Sequence, residues 1–310
     1  MLTDEPHWRE HHFRAMGSPA HLIVATAPEP LVEWAATEVE RLEQAWSRFR
    51  PDSELSRLGA RAGEWVPVSP ELLRALVRAR RLWERTAGAF DPTILNALVS
   101  LGYDRTFAEV ERVGAPGDVS SGPVAGFGVV EVDEIASAVR LPPGIGLDLG
   151  GLGKGLAADL VAEGLLLRGA SSALVALGGD IRTAGDTPDG GWCVPVLDPF
   201  DADAVWRDVV LDAEAIVTST SLMRRWRRGE HDLHHIIDPI TGMPSEGDVV
   251  AVVARGPEAW WAEGLAKAAM VLGEAGAGPL LEGTGVTATL FRADGSAAPV
   301  GDEVMACSPS

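Results

Sequence analysis

The sequence predicts an α+β protein rather than a doubly wound α/β one. Candidate strands outnumber helices in the second half of the chain, and strands and helices never settle into strict alternation. With 310 residues and a hydrophobic share of 46%, the chain is long enough to bury a large core. The expected organisation is one domain over residues 1–310, or two intimate lobes meeting at the glycine-rich turn near 148–155.

Each element has a local reason. Residues 11–26 alternate after Ala20 and read as a strand, with Met16-Gly17-Ser18 as a break before it. Over 28–48, Leu31, Trp34, Ala35, Val39, Leu42 and Trp46 follow helical spacing. Pro51 ends that helix, and Ser53-Glu54-Leu55 starts another turn. A second helix over 70–86 has Ser69 placed as its cap, Pro70 at its first position and Gly88 beyond its end. A short helix follows over 93–101, and the polar, Gly/Pro/Ser-rich stretch 104–126 reads as an irregular loop. Strands are expected at 127–133 and 137–141, then a helix over 153–168 and a buried strand reaching Gly178-Gly179-Asp180. Further strands fall at 192–197, 206–211, 215–219, 233–237, 248–254 and 286–291, with a helix at 257–273.

Composition excludes several functions. Twenty-six basic against 45 acidic residues leave a net charge of −19, which opposes binding to nucleic acid or to an anionic membrane. Cys193 and Cys307 are too few for a disulfide framework and lack metal-ligand spacing. The N-terminal stretch has no apolar signal-peptide region, and no segment has the ~18 uninterrupted apolar residues of a membrane span. A cytoplasmic protein without a membrane anchor is the expectation.

Three stretches carry chemistry. Gly150, Gly151, Gly153 and Gly155 surround Lys154 between an apolar run and a helical pattern, which suits backbone N–H groups closing on a phosphate. The turn is not a Walker A loop, because the first glycine of that pattern is missing and no Ser or Thr follows Lys154. Nor is its Gly151-x-Gly153-x-Gly155 spacing the dinucleotide fingerprint. The second stretch, Ile216 to Pro244, offers hydroxyls at Thr218, Ser219, Thr220 and Ser221, then His231, His234 and His235. These histidines lack a defined acidic partner for a metal, and His234 and His235 would point to opposite faces of a strand. One of them suits a general base. The run Arg224, Arg225, Arg227 and Arg228 reads as a solvated hairpin. In the third stretch, Glu263 and Lys267 share a helical face. An exposed pair would contribute only ~0.3–0.5 kcal/mol, but its apolar surroundings point to partial burial. Lys154 and Lys267 are the only lysines among the 26 basic residues.

Together these residues resemble the FAD:protein FMN transferase, or ApbE-like, family. The resemblance runs in order through Met16-Gly17-Ser18, Ser47-Arg48-Phe49 with Asp52 to Leu55, Gly88 to Thr93, Asp148 to Asp159, Gly178-Gly179-Asp180, Thr218 to Ser221, His235 to Pro239 with Thr241-Gly242, and Ala262 to Ala268. It implies mixed, mostly antiparallel sheets with packed helices in an architecture related to the T-fold. It also implies transfer of FMN from FAD to a Ser or Thr hydroxyl of a target flavoprotein, releasing AMP, with Mg²⁺ as helper. By position, Met16, Phe49, Ala89, Phe90, Asp91, Asp148 and Lys154 would contact FAD, with hydroxyls from Thr218 and Ser219, and His235 would deprotonate the acceptor. The family's metal would be held at the positions of Gly151, Glu263, Ala266 and Lys267.

Two of those positions depart from the family pattern, which usually has Asp where Glu263 stands and Thr where Lys267 stands. A protonated lysine cannot coordinate a metal, so Lys267 is a candidate substitute for the cation. The reaction would be an in-line displacement at the FMN-side phosphorus, which depends on positioning and on neutralising phosphate charge. The glycine turn and Lys154 would hold phosphate, and either Mg²⁺ on Glu263 or the Lys267 ammonium would serve the leaving AMP. An FAD pyrophosphatase using water as acceptor, or an FAD-binding protein without turnover, are the alternatives.

Overall fold

The computed structural model describes residues 7–25, 30–113, 119, 121–188 and 191–301. It opens on a hairpin instead of one interrupted strand: β1 (Trp8–Ala15) turns at Met16-Gly17 into β2 (Ser18–Ala25). Met16 and Gly17 have φ of 51° and 70°, as a two-residue hairpin turn matched to strand twist requires. β1 hid in the sequence because its WREHHFRA run carries polar residues on both faces and lacks a clean apolar alternation.

α1 (Leu31–Trp46) buries Leu31, Val32, Ala35, Val39, Leu42 and Trp46; the start expected at 28 lies outside the described residues. Ser53 caps α2 (Glu54–Ala60) through the Ser56 N–H. After β3 (Val66–Pro67), Ser69 caps α3 (Pro70–Arg85) through the Leu72 N–H, with Pro70 opening the helix as expected. A 3-10 turn at Pro92–Ile94 leads into α4 (Leu95–Ser100).

Part of the stretch expected to be irregular is helical, as α5 (Phe107–Val113); residues 114–118 and 120 lie outside the described ones. The signal was a capping arrangement, in which the Glu109 carboxylate accepts from both the N–H and the hydroxyl of Thr106. A 3-10 turn at Phe127–Val129 and β4 (Glu131–Asp133) occupy the first expected strand. β5 (Ala138–Arg140) joins β3 and β4 in a small antiparallel sheet.

The second half follows with α6 (Gly153–Leu167), β6 (Ser172–Leu177), β7 (Asp180–Gly185), β8 (Trp192–Asp198), β9 (Asp201–Leu211) and β10 (Ala215–Thr220). Then come β11 (Arg225–Arg228), β12 (His231–His234), β13 (Val249–Gly256), α7 (Ala259–Leu281), β14 (Thr287–Arg292) and β15 (Ala297–Val300). The arginine run forms a β11–β12 hairpin, and the strand expected at 233–237 instead ends at His234. α7 breaks its helical geometry at Gly273, with φ 69°, where the sequence reading ended the helix.

Eight strands form one sheet in the order β1-β2-β6-β7-β10-β13-β14-β15. All its neighbours are antiparallel, in line with the α+β prediction. One face carries Leu22, Val24, Val175, Val217 and Val252 into a core shared with α1, α3, α6 and α7. The other carries Leu174, Ile216, Val253 and Phe291 against the β8–β9 ribbon. Among the described residues no helix is long and apolar enough to cross a membrane.

α6 and α7 approach closely enough that a Cβ on Gly155 would lie 2.6 Å from the Ala259 backbone. This glycine is required by packing, and the approach brings the glycine turn against the start of α7. Asp159 of α6 accepts the N–H groups of Ala259 and Trp260, both at 2.9 Å, and so caps α7 from a neighbouring helix.

Candidate active site

A cleft opens where the chain after α1, the turn after α3, the glycine turn, the β11–β12 hairpin and α7 meet.

Arg48 and Asp148 form one wall. Arg48 Nε lies 2.7 Å from Asp148 Oδ2, with both side chains largely buried. Its Nη1 donates to the Tyr103 carbonyl at 2.7 Å. The guanidinium lies 4.1 Å from the Phe49 ring centroid and 4.4 Å from that of Tyr103, a geometry that planar arginine supports and lysine does not. Nη2 is buried without a partner, so the wall retains an unused donor. Asp148 Oδ1 accepts the Gly150 N–H at 2.6 Å and fixes the start of the glycine turn.

Asp91 is used internally. It accepts the Thr93 N–H and hydroxyl at 2.8 and 2.6 Å and the Phe127 N–H at 3.2 Å. Burial still raises its pKa above the ordinary aspartate value, because these hydrogen bonds only partly offset desolvation.

Beneath the cleft lies a buried group of four charges. Lys154 Nζ is 2.5 Å from Asp180 Oδ2 and 2.8 Å from Glu263 Oε1. Lys267 Nζ is 2.9 Å from the same Glu263 oxygen. Glu263 Oε2 accepts the Gly155 N–H at 2.9 Å. Two ammonium and two carboxylate groups therefore cancel, which is how buried charges become tolerable. Burial disfavours the Lys154 ammonium, but Asp180 and then Glu263 outweigh it and raise its pKa. Burial likewise opposes the Glu263 carboxylate, yet Lys154 and Lys267 hold it down to about 2. Lys267 is pushed below the ordinary lysine value, by burial first, with Glu263 opposing.

His235 lines the cleft just beyond β12, with Nδ1 buried and unpartnered. Burial, then the positive charges of Arg224 and Lys267, depress its pKa well below the ordinary histidine value, so the imidazole is neutral near pH 7. His234 is bound up in structure, its Nε2 3.2 Å from the Ser245 carbonyl and its Nδ1 accepting the Ile236 N–H. Of the two adjacent histidines, His235 is the one that lines the cleft.

Of the residues singled out from sequence, Phe49, Ala89, Phe90, Asp91, Asp148, Gly151, His235 and Lys267 line the cleft. Lys154 and Glu263 sit beneath it, tied to each other, and Ala266 is buried in the core of α7. Met16 is at the hairpin turn, its N–H donating to Glu43 at 2.7 Å. Ser18 of that turn packs so closely on Gly178 that a Cβ there would lie 2.7 Å away, with Lys154 at 3.4 Å. Thr218 and Ser219 separate across the sheet: Val217 belongs to the helix-side core and Ile216 to the ribbon-side core. Alternation then places Ser219, with a buried unpartnered hydroxyl, on the helix side and Thr218 on the ribbon side. Neither Thr218 nor Ser219 is among the residues that line the cleft. Sequence reasoning gave no ligand-facing role to Arg48, Tyr103 or Arg224. Tyr103 is the chain's single tyrosine, a signal that was available.

The donor set does not fit a divalent metal at Glu263. Both carboxylate oxygens are already engaged, and the cation beside Oε1 is an ammonium with no lone pair to offer. Lys267 Cδ also lies 3.5 Å from where a Gly151 Cβ would stand, so the lysine stem fills the approach between Gly151 and Glu263.

A model described as the ApbE family matches residues 16–291. A FAD:protein FMN transferase from Treponema pallidum is 33% identical over 269 residues, covering 78% of this chain and 71% of that protein. One from Vibrio cholerae is 32% identical over 263 residues, covering 77% and 73%. The solved structure of an ApbE protein from Thermotoga maritima matches with a TM-score of 0.82 at 24% identity, covering 95% of this chain and 97% of that one, and supports the fold. The flavin transferase ApbE from Vibrio cholerae matches with a TM-score of 0.78 at 25% identity, again covering 95% and 97%. With a family match over most of its length and the expected architecture, this chain belongs to the ApbE family.

Proposed function

We propose that this chain binds FAD in the cleft and transfers the FMN half to a Ser or Thr hydroxyl of a target flavoprotein, releasing AMP. The carrying observation is that a neutral imidazole, His235, and an ammonium, Lys267, line one cleft together with Arg48 and Arg224. The names of the relatives point the same way.

In this reading the acceptor oxygen attacks the FMN-side phosphorus, and the bond from that phosphorus to the bridging oxygen of AMP breaks. The acceptor proton passes to His235, and AMP leaves with the bridging oxygen. Arg48, Arg224 and Lys267 supply positive charge to an anionic pyrophosphate in a chain that is otherwise strongly acidic. The positive charges that add to burial in depressing the His235 pKa are offset once the pyrophosphate is bound, which makes the imidazole a stronger base when substrate arrives.

Lys267 takes the cation role that the sequence left open between it and Mg²⁺, and beneath it Lys154 holds Glu263 while Asp180 balances charge. No step is assigned to a metal. A cytoplasmic location and a Ser- or Thr-bearing acceptor belong to the same reading.

The test is to incubate the pure protein with FAD, with and without a candidate Thr-bearing acceptor, following AMP alongside in-gel flavin fluorescence. Transfer gives AMP and a fluorescent acceptor band, both lost in His235→Ala. FMN and AMP without a labelled band would replace transfer with hydrolysis, and bound FAD without AMP would leave a binding protein.

A further inference from the structure

Away from the cleft, the hairpin formed by β1 and β2 gathers a second set of ligating groups. His12 and His21 are directly opposite in the β1–β2 register, and Glu10 stands two residues before His12. Period-two alternation and cross-strand pairing put all three side chains on one face. The imidazole rings are stacked, 4.0 Å between centroids and 11° from parallel. Both Nε2 atoms converge on Glu10 Oε1, at 2.9 Å from His12 and 2.7 Å from His21. Among the described residues this is the one group of three His, Cys, Asp or Glu side chains whose ligating atoms all lie within 4.8 Å of one another.

A hydrogen-bonded surface cluster does not fully account for it. The His12 to Glu10 contact is a hydrogen bond. The His21 Nε2 atom, although close to the same oxygen, is buried and has no aligned partner. Two imidazole nitrogens brought from opposite strands to one carboxylate oxygen form a donor set that a metal ion can take up in place of protons. On the other flank His21 pairs with Ala176 of β6, whose small side chain crowds the site little.

We propose that Glu10, His12 and His21 form a binding site for a divalent transition metal of the zinc class. Two imidazoles and one carboxylate suit zinc, nickel or copper rather than the oxygen-seeking magnesium or calcium. Three protein ligands with water completing the shell is an open zinc arrangement. The exposed Glu10 and His12 side chains, 57% and 69% accessible, are free to rotate so that the ring planes, near parallel when stacked, converge on an ion at ~2.0–2.1 Å bond length. Because its histidines come from opposite strands, the ion ties edge strand β1 to β2 and braces the hairpin whose turn carries Met16 and Gly17. The site is independent of the flavin reading.

The test uses the full chain without a histidine tag. Zn²⁺ binding is measured by calorimetry, Co²⁺ binding by its visible spectrum, and thermal unfolding is followed with and without Zn²⁺. We expect one ion per chain with nitrogen-containing coordination, and a rise in Tm on adding Zn²⁺. His12→Ala and His21→Ala should each weaken binding by roughly a hundredfold, the effect of losing one of a few ligands, and should abolish the Tm rise. His11→Ala, whose position alternates to the opposite face of β1, should leave both unchanged. Because β1 is an edge strand and His12 is exposed, circular dichroism of the variants should match the parent. Zn²⁺ affinity and Tm shift that survive the His12→Ala/His21→Ala double substitution would overturn the proposal, as would failure of the parent chain to bind either ion.

Discussion

Replacing Lys267 with methionine removes one charge at nearly constant volume and tests the electrostatics of the cleft floor. In the parent chain the four buried charges cancel; in the variant they sum to −1. Glu263 keeps Lys154 at 2.8 Å and the Gly155 N–H at 2.9 Å, so it is not orphaned. The stability loss should fall at or below the low end for a broken buried pair, roughly 3 kcal/mol. The catalytic loss should be larger in relative terms. A fixed charge aimed at developing phosphate charge in a water-poor site contributes ~2.7–4 kcal/mol, or about 10²–10³ in rate. The assay is AMP release from FAD with acceptor present, in EDTA and across a Mg²⁺ titration. The parent should keep its rate in EDTA, and Lys267→Met should lose two to three orders of magnitude (~10²–10³) while still binding FAD. Lys267→Thr, which clears space beside Glu263 and supplies a hydroxyl, should become Mg²⁺-dependent. If EDTA abolishes AMP release by the parent and Mg²⁺ fully restores it, the reasoning fails.

Three further outcomes are expected. For His235, whose free-enzyme pKa lies well below 6.5, kcat/KM should show no protonation limb near pH 6.5, and the kcat limb should lie at higher pH because bound pyrophosphate offsets Arg224 and Lys267; coincident limbs would contradict this. For His234, burial lowers the folded pKa from 6.5 to about 4, while the unfolded chain protonates near 6.5. Its contribution is therefore complete above pH 6.5 and is lost as pH falls toward 4, by ~1.4 kcal/mol per unit and roughly 3 kcal/mol in total; denaturant midpoints across that range should flatten in His234→Gln. Gly155→Ala places a Cβ 2.6 Å from the Ala259 backbone and should cost about 1–3 kcal/mol by overpacking, with lost activity because the Gly155 N–H that holds Glu263 must move; an unchanged melting temperature would contradict the close helix approach.

Elements whose determinants lie within a few residues were legible. Ser69 and Pro70 announced α3, the glycine turn announced α6 at Gly153, and Gly273 marked the break in α7. Elements lacking apolar alternation were not. β1 carries polar residues on both faces, and α5 has only seven residues, so its Thr106 and Glu109 cap was lost in the loop-like composition around it. In the site, Lys267 could be paired with Glu263 from i,i+4 spacing alone. That Lys154 would join them could not, since 109 residues separate it from Glu263.

By itself, then, the sequence determined which residue types stood ready for phosphate chemistry, the α+β class, and the departure at Lys267. Spacing along the chain encodes helices, caps and turns because those depend on neighbours within a turn or two. The tertiary structure decided which groups face the cleft. It set His235 toward the cleft and tied His234 into the structure, and it brought Lys267 and Arg48 to the cleft lining while Lys154 became a partner of Asp180 and Glu263 beneath it. These choices depend on how an antiparallel sheet and two closely packed helices bring distant segments together, and on the cost of burying any charge without its counter-charge.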